Sequence, residues 1–332
     1  MKVFITGSEG FIGSHLTEKL VKGGHDVKAF VMYNFRNSNG WLDDLSKDIR
    51  KNIQIIKGDI RDFDVIKRET KKCDAIIHLA ALIGIPYSYY SPKSYVDTNI
   101  SGTLNVLQAV KQNNISRLIH TSTSEVYGSA KKIPIIETHP FHGQSPYSAS
   151  KIAADQMALS FYNSFDLPLI ILRPFNTFGP RQSKRAIIPT IIDQIMNTKN
   201  KFLNLGNLSP TRDFSYVEDI CNGFESALRV NNIFGETINL GSGYEISIKN
   251  LVFLISSLIQ REIKVKKTSE RVRPHKSEVS RLCASNKKAK KLLKWQPGFV
   301  GKQGLRRGLI KTIDWYKKNS ILKEVDNKLY VI

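Results

Sequence analysis

Tyr147 and Lys151 lie four positions apart in Tyr147-Ser-Ala-Ser-Lys151, so on a helix their side chains share one face. A phenol is a poor base at neutral pH, and a neighbouring cation favours its ionised form. Thr123 lies upstream in Thr121-Ser-Thr-Ser-Glu-Val-Tyr-Gly128 and is suited to hold a substrate hydroxyl. These three residues predict proton removal from an alcohol that is being oxidised. Glu125, in the same run, adds a second chemistry. Once the alcohol has become a ketone, the proton on the neighbouring carbon is acidic, and a carboxylate within reach can take it. Loss of a hydroxyl from the next carbon would then complete an elimination of water.

Oxidation needs a hydride acceptor, and the N-terminal turn predicts one. Thr6-Gly7-Ser-Glu-Gly10-Phe11-Ile12-Gly13-Ser14 follows an apolar run and precedes an amphipathic one. Missing side chains at Gly7, Gly10 and Gly13 let the backbone approach a pyrophosphate that sits on a helix N-terminus. Asp59 and Ile60, at the end of a later apolar run, are placed to read an adenine. Leu79, Ala80 and Ala81 end another, where small residues give room to a ribose. Lys151 can also hold the nicotinamide ribose. A carboxylate about 20 positions past the glycines would read the adenine ribose hydroxyls, but residues 32–36 carry none. Asn34 could bind those hydroxyls and Arg36 could meet a 2′-phosphate, so residues 32–36 leave NAD and NADP both open.

Arg173, Asn176, Arg212 and Arg273 are candidates to hold a nucleotide diphosphate, since a guanidinium matches phosphate oxygens through two parallel donors. Ser124 and Arg185 join them as candidate substrate contacts, and residues 181–189 and 199–205 as contacts to a base. The histidines show no ligand spacing, so no metal is expected.

The elements that must position these residues follow from periodicity. Strand-like apolar runs at 3–6, 27–32, 53–57, 75–79, 117–121, 169–172 and 237–240 alternate with amphipathic stretches. That pattern predicts an α/β fold with a parallel sheet covered on both faces. Long helices are expected at 96–111 and from 148 to 165, each with an apolar stripe. Residues 1–175, with a return near 214–245, read as the dinucleotide-binding unit. Residues 176–213 and 246–332 read as a smaller, interleaved substrate lobe.

The 332 residues are 41% hydrophobic and 24% charged, which is ordinary for a globular chain. The net charge of +21 is dispersed, which points to a solvated surface, with a modest share of the charge serving a diphosphate substrate, rather than to nucleic acid. With no apolar run of membrane-spanning length and three scattered cysteines, a reduced, cytoplasmic protein is expected.

Over nearly its whole length the chain resembles the extended short-chain dehydrogenase/reductases. The resemblance rests on the Gly7–Gly13 loop, Asp59, Ala80-Ala81, Asn99, Thr123, Tyr147-Lys151 and Arg173-Pro-Phe-Asn176. It implies a Rossmann-type doubly wound sheet and adds Asn99 to the cofactor contacts. Thr123-Ser-Glu125 is similar to the Thr-Ser-Glu of GDP-mannose 4,6-dehydratases. The dTDP-glucose dehydratases have Asp where this chain has Ser124, so Glu125 would have to serve as both base and acid. Longer stretches look closest to the NAD-dependent 4,6-dehydratases of the legionaminic acid pathway: residues 82–89, 143–147, 206–213 and 273–278. That likeness implies NAD, an N-acetylglucosamine nucleotide as substrate, and a 4-keto-6-deoxy product with retained C5 configuration. It also implies a homodimer that pairs the two long helices in a four-helix bundle. The rivals on the same fold are a UDP-glucuronate decarboxylase, which can also carry Thr-Ser-Glu, and a 4-epimerase, which has no use for a base at C5.

Overall fold

The computed structural model describes residues 1–197 and 202–319. Seven strands form the main sheet: β1 (Lys2–Thr6), β2 (Asp26–Met32), β3 (Ile53–Gly58), β4 (Ala75–His78), β5 (Arg117–Thr121), β6 (Leu169–Pro174) and β10 (Thr237–Leu240). All pair in parallel, in the order β10-β6-β5-β4-β1-β2-β3. This is the doubly wound, Rossmann-type arrangement, with strand order reversing between β1 and β4. Burial on both faces explains why these strands were legible as unbroken apolar runs; Val3, Ile5, Ile76 and Ile119 have no solvent exposure.

Five short strands were not expected: β7 (Asn176–Phe178), β9 (Thr211–Tyr216), β11 (Glu245–Ser247) and the pair β8 (Phe202–Leu205) with β12 (Lys264–Lys267). β9 pairs β7 in parallel and β11 antiparallel. Each is too short and too mixed in polarity to show a period. The helix Val217–Arg229 and β10 return the chain to the main sheet. A continuous core joins Val3 and Ile5 of that sheet to Leu203, Ile246 and Leu309 beyond it. Residues 199–201 of one expected base-contacting stretch, and 320–332 of the expected substrate lobe, lie outside the described residues.

The two long helices run Gly102–Asn113 and Pro146–Phe165. The first is preceded by a π-helical turn, Val96–Ser101, where continuous α-helix was expected. Asn99 in that turn reaches sideways to Leu82, accepting from its backbone N–H at 2.8 Å and donating to its carbonyl at 3.0 Å.

Candidate active site

The catalytic candidates come together because two elements end side by side. Strand β5 stops at Thr121, and Thr123 caps a short 3-10 turn, Ser124–Tyr127, by accepting from the Glu125 N–H. The opposite wall is the first turn of the Pro146–Phe165 helix. Pro146 starts it, and Ser145 and Ser148 close a reciprocal capping box. Tyr147 thereby sits at the positive end of the helix dipole.

Tyr147 is buried, and its hydroxyl hydrogen-bonds Thr123. Burial pushes the phenol above its ordinary range; the Thr123 bond opposes this, and the Glu125 charge adds to it. Lys151 is also buried, and burial brings its ammonium down to about 8, with Asp155 opposing. The Lys151 Nζ donates to the Thr121 carbonyl at 2.7 Å. So the protein's own groups favour the neutral phenol, against the expectation that Lys151 would pull the tyrosine down. Glu125, 8% exposed, acts electrostatically on both Tyr147 and Arg212. Tyr95, which periodicity did not single out, packs edge-on against Tyr147 at 6.2 Å.

The glycine turn has the shape that a dinucleotide requires. Gly7 has φ +71°, and a Cβ there would lie 2.9 Å from the Ala80 nitrogen; one on Gly13 would lie 2.1 Å from the Gly7 carbonyl oxygen. Side chains are therefore excluded where a pyrophosphate must approach. Gly10 begins the helix Phe11–Lys22, which has no side-chain cap and no acid in its first turn. Its free N–H groups and dipole suit an anion. Phe11 and Ile12 pack on the core beneath. The Thr6 hydroxyl accepts from the Leu79 and Ala80 N–H groups at 3.1 Å each, which fixes the end of β4 against the turn. Asp59 is held by a forked bond from Arg61, and Ile60 is buried behind it against Gly102.

Other candidates are placed differently from their expected roles. Asn99 serves its neighbours: besides Leu82 it donates to Ser150 at 2.9 Å, so it positions the backbone after Ala80-Ala81. Asn34 closes a local turn through Met32 and Ser38, and Arg36 is exposed over the Phe35 ring. Arg185 is exposed, and its neighbour Arg181 pairs with Glu18 at 2.8 Å.

Arg173 is the main correction. It was expected at a diphosphate, yet its guanidinium lies in the core, bonded to Asp155 and to the Tyr127 hydroxyl. Asp155 also accepts from Ser122 at 2.6 Å and lies 3.2 Å from His120 Nε2. Burial would raise this carboxyl, but the His120 bond and the Arg173 charge outweigh it and hold it at about 2. Asp155 was missed, although it lies one helical turn past Lys151 on the same face.

Arg212 and Arg273 do converge. Arg212 donates to Glu278 at 3.2 Å and to the Thr211 carbonyl at 2.9 Å, while Arg273 lies 3.9 Å from the same glutamate. Arg273 Nη1 and Asn176 Oδ1 are buried without a hydrogen-bond partner. Gln144, also unanticipated, donates to the Lys276 and Glu278 carbonyls and accepts from Ser129, which ties this segment to the turn after Glu125. Among the described residues no cluster of His, Cys, Asp and Glu could hold a metal ion, and no helix is long and apolar enough to cross a membrane. Cys73, Cys221 and Cys283 are buried thiols.

Known proteins share the fold over nearly the whole chain. The chain is 32% identical over 329 residues to a UDP-glucuronate 4-epimerase of Thermodesulfobacterium geofontis, covering 95% of this chain and 96% of that one. A UDP-N-acetylglucosamine 4-epimerase from Methanobrevibacter ruminantium superposes with TM-score 0.84 at 30% identity, over 96% of this chain and 98% of that one. A dTDP-glucose 4,6-dehydratase from Streptomyces venezuelae, solved with NAD bound, superposes with TM-score 0.86 at 28% identity over the same shares. Residues 4–307 match the GDP-mannose 4,6-dehydratase family, and the chain is therefore a member of that family of nucleotide-sugar dehydratases and epimerases.

Proposed function

We propose that the protein is a nucleotide-sugar 4,6-dehydratase acting on an N-acetylglucosamine nucleotide. The observation that carries the dehydratase reading is the buried Glu125, which acts electrostatically on both Tyr147 and Arg212; the N-acetylglucosamine nucleotide rests on the resemblance of residues 82–89, 143–147, 206–213 and 273–278. NAD is the cofactor; it supplies the hydride acceptor and donor, and its positive ring favours the tyrosine phenolate. Gly7, Gly10 and Gly13 with the helix N-terminus hold its pyrophosphate, and Lys151 its nicotinamide ribose. Thr123 orients the sugar C4 hydroxyl and Tyr147 takes its proton. With C4 a ketone, Glu125 takes the C5 proton and returns a proton to the departing C6 hydroxyl as water. Arg212 and Arg273 hold the diphosphate with unused or shared guanidinium donors, and Asn176 through its amide N–H.

Exposed Val96 and half-buried Ile100 in the π-helical turn, half-buried Leu104 after it, and half-buried Ala153, Met157 and Phe161 on the Pro146–Phe165 helix recur at four-residue spacing. These stripes support the further proposal of a homodimer through a four-helix bundle.

Epimerases among the relatives favour 4-epimerisation as the second reading. Incubation with GDP-N-acetylglucosamine and, separately, UDP-N-acetylglucosamine distinguishes the two. Dehydration removes one water and creates a C6 methyl signal in the proton spectrum; epimerisation leaves the mass unchanged. Glu125→Gln should leave nucleotide-sugar binding intact and cut water loss by about 10²–10⁴-fold. Unchanged turnover in that variant would remove the assignment.

A further inference from the structure

The family relation explains a need for NAD, but residues 32–36 at the end of β2 carry no acid to read its adenine ribose. The structure puts a carboxylate at that place from another part of the chain. Glu9, inside the glycine turn, folds across so that its Oε1 accepts from the N–H of Met32, the last residue of β2, at 3.0 Å. Its main chain is fixed as well. The Trp41 N–H donates to the Glu9 carbonyl at 3.1 Å. Gly40, at φ +57°, packs so closely that a Cβ there would lie 2.9 Å from the Glu9 Cβ. The segment after β2 thus clamps Glu9 from outside. Its second oxygen, Oε2, is buried and has no hydrogen-bond partner.

A buried carboxylate oxygen without a donor is costly unless a ligand supplies one. In a doubly wound sheet the crevice beside the end of β2 is where the adenine ribose lies, and an acid there accepts from its hydroxyls. We propose that Glu9 is the ribose-reading acid of this protein and the residue that selects NAD over NADP. Its Oε2 accepts from the ribose hydroxyls. A 2′-phosphate at the same place would bring its charge against a carboxylate that cannot turn to solvent, because Met32 and Gly40 hold it. Asn34, engaged in its own turn, and Arg36, out over Phe35, leave that selection to Glu9.

The inference rests on the reading of the cleft as an NAD site, and equilibrium binding of each dinucleotide to the full-length protein tests both. Calorimetry gives Kd for NAD and NADP with wild type, Glu9→Gln and Glu9→Ala, and melting temperatures report folding. Glu9→Gln keeps the shape and the bond to Met32 but removes the charge. It should change the ratio of the two Kd values in favour of NADP by about tenfold or more. Glu9→Ala should weaken NAD further. If both dinucleotides weaken equally in Glu9→Gln, or neither changes, Glu9 only supports the turn and the proposal is overturned. If wild type binds neither, the cofactor reading itself falls.

Discussion

Arg173 and Arg212 are both almost fully shielded, at 1% and 7% exposure, but their guanidinium groups meet different neighbours. Arg173 has a bonded partner at every nitrogen: Asp155 at Nε and Nη2, and the Tyr127 hydroxyl at Nη1. Burial works against its charge, yet Asp155 and Tyr127 more than offset this and raise its pKa. For Arg212 burial prevails and the pKa is lowered; Glu125 and Glu278 favour its charge while Arg273 opposes it. Arg212 shares Glu278 with Arg273, which keeps a buried Nη1 unbonded. A closed network of this kind stabilises a fold, whereas an open one is suited to receive an anion. Residue type and strand-end position are alike in the two cases; donor satisfaction separates them.

Four substitutions or conditions should widen or erase that difference. Asp155→Asn leaves the Arg173 charge buried without its carboxylate and should cost about 3–5 kcal/mol in urea unfolding. A loss below about 1 kcal/mol would mean that Arg173 is not sealed in the core. Acid should expose the same network more gently. Asp155 sits at about 2 against an ordinary 3.8, so its contribution is complete above pH 4 and disappears as pH falls through 2. That component, about 2 kcal/mol, should be present in wild type and missing from Asp155→Asn.

The open network should respond in binding rather than folding. Arg212→Gln should weaken UDP and GDP by about tenfold to a hundredfold in calorimetry, while the melting temperature moves far less than in Asp155→Asn. Equal losses of stability in the two variants would collapse the comparison. Arg273 is partly solvated, its side chain 28% exposed. Arg273→Gln should therefore weaken the nucleotides by about threefold to tenfold and flatten the dependence of affinity on salt.

Much of the fold was legible because parallel strands buried on both faces must be apolar throughout, and the seven strands of the main sheet lie within two residues of where the apolar runs place them. The Pro146–Phe165 helix was equally readable in its period. Its capping box, built from Ser145 and Ser148, is just as local, but two serines three positions apart carry no mark of a helix start by themselves. β7, β9 and β11 escaped because their pairing joins segments far apart in the chain, and nothing in three to six residues records a distant partner.

The sequence by itself determined which chemistry the chain can host. Tyr147 and Lys151 share a helix face by spacing alone, and the glycines of the first turn exclude side chains wherever they are folded. Tertiary structure decided which charges are occupied. Glu9 lies 23 positions from Met32 and Asp155 lies 18 from Arg173; neither pairing has a local signature. A charge's role depends on the partners and the solvent around it, and those are set when the chain closes on itself. That is why Arg173 is sealed in the core by Asp155 and Tyr127, Arg212 shares Glu278 with Arg273, and Glu9 lies against the end of β2.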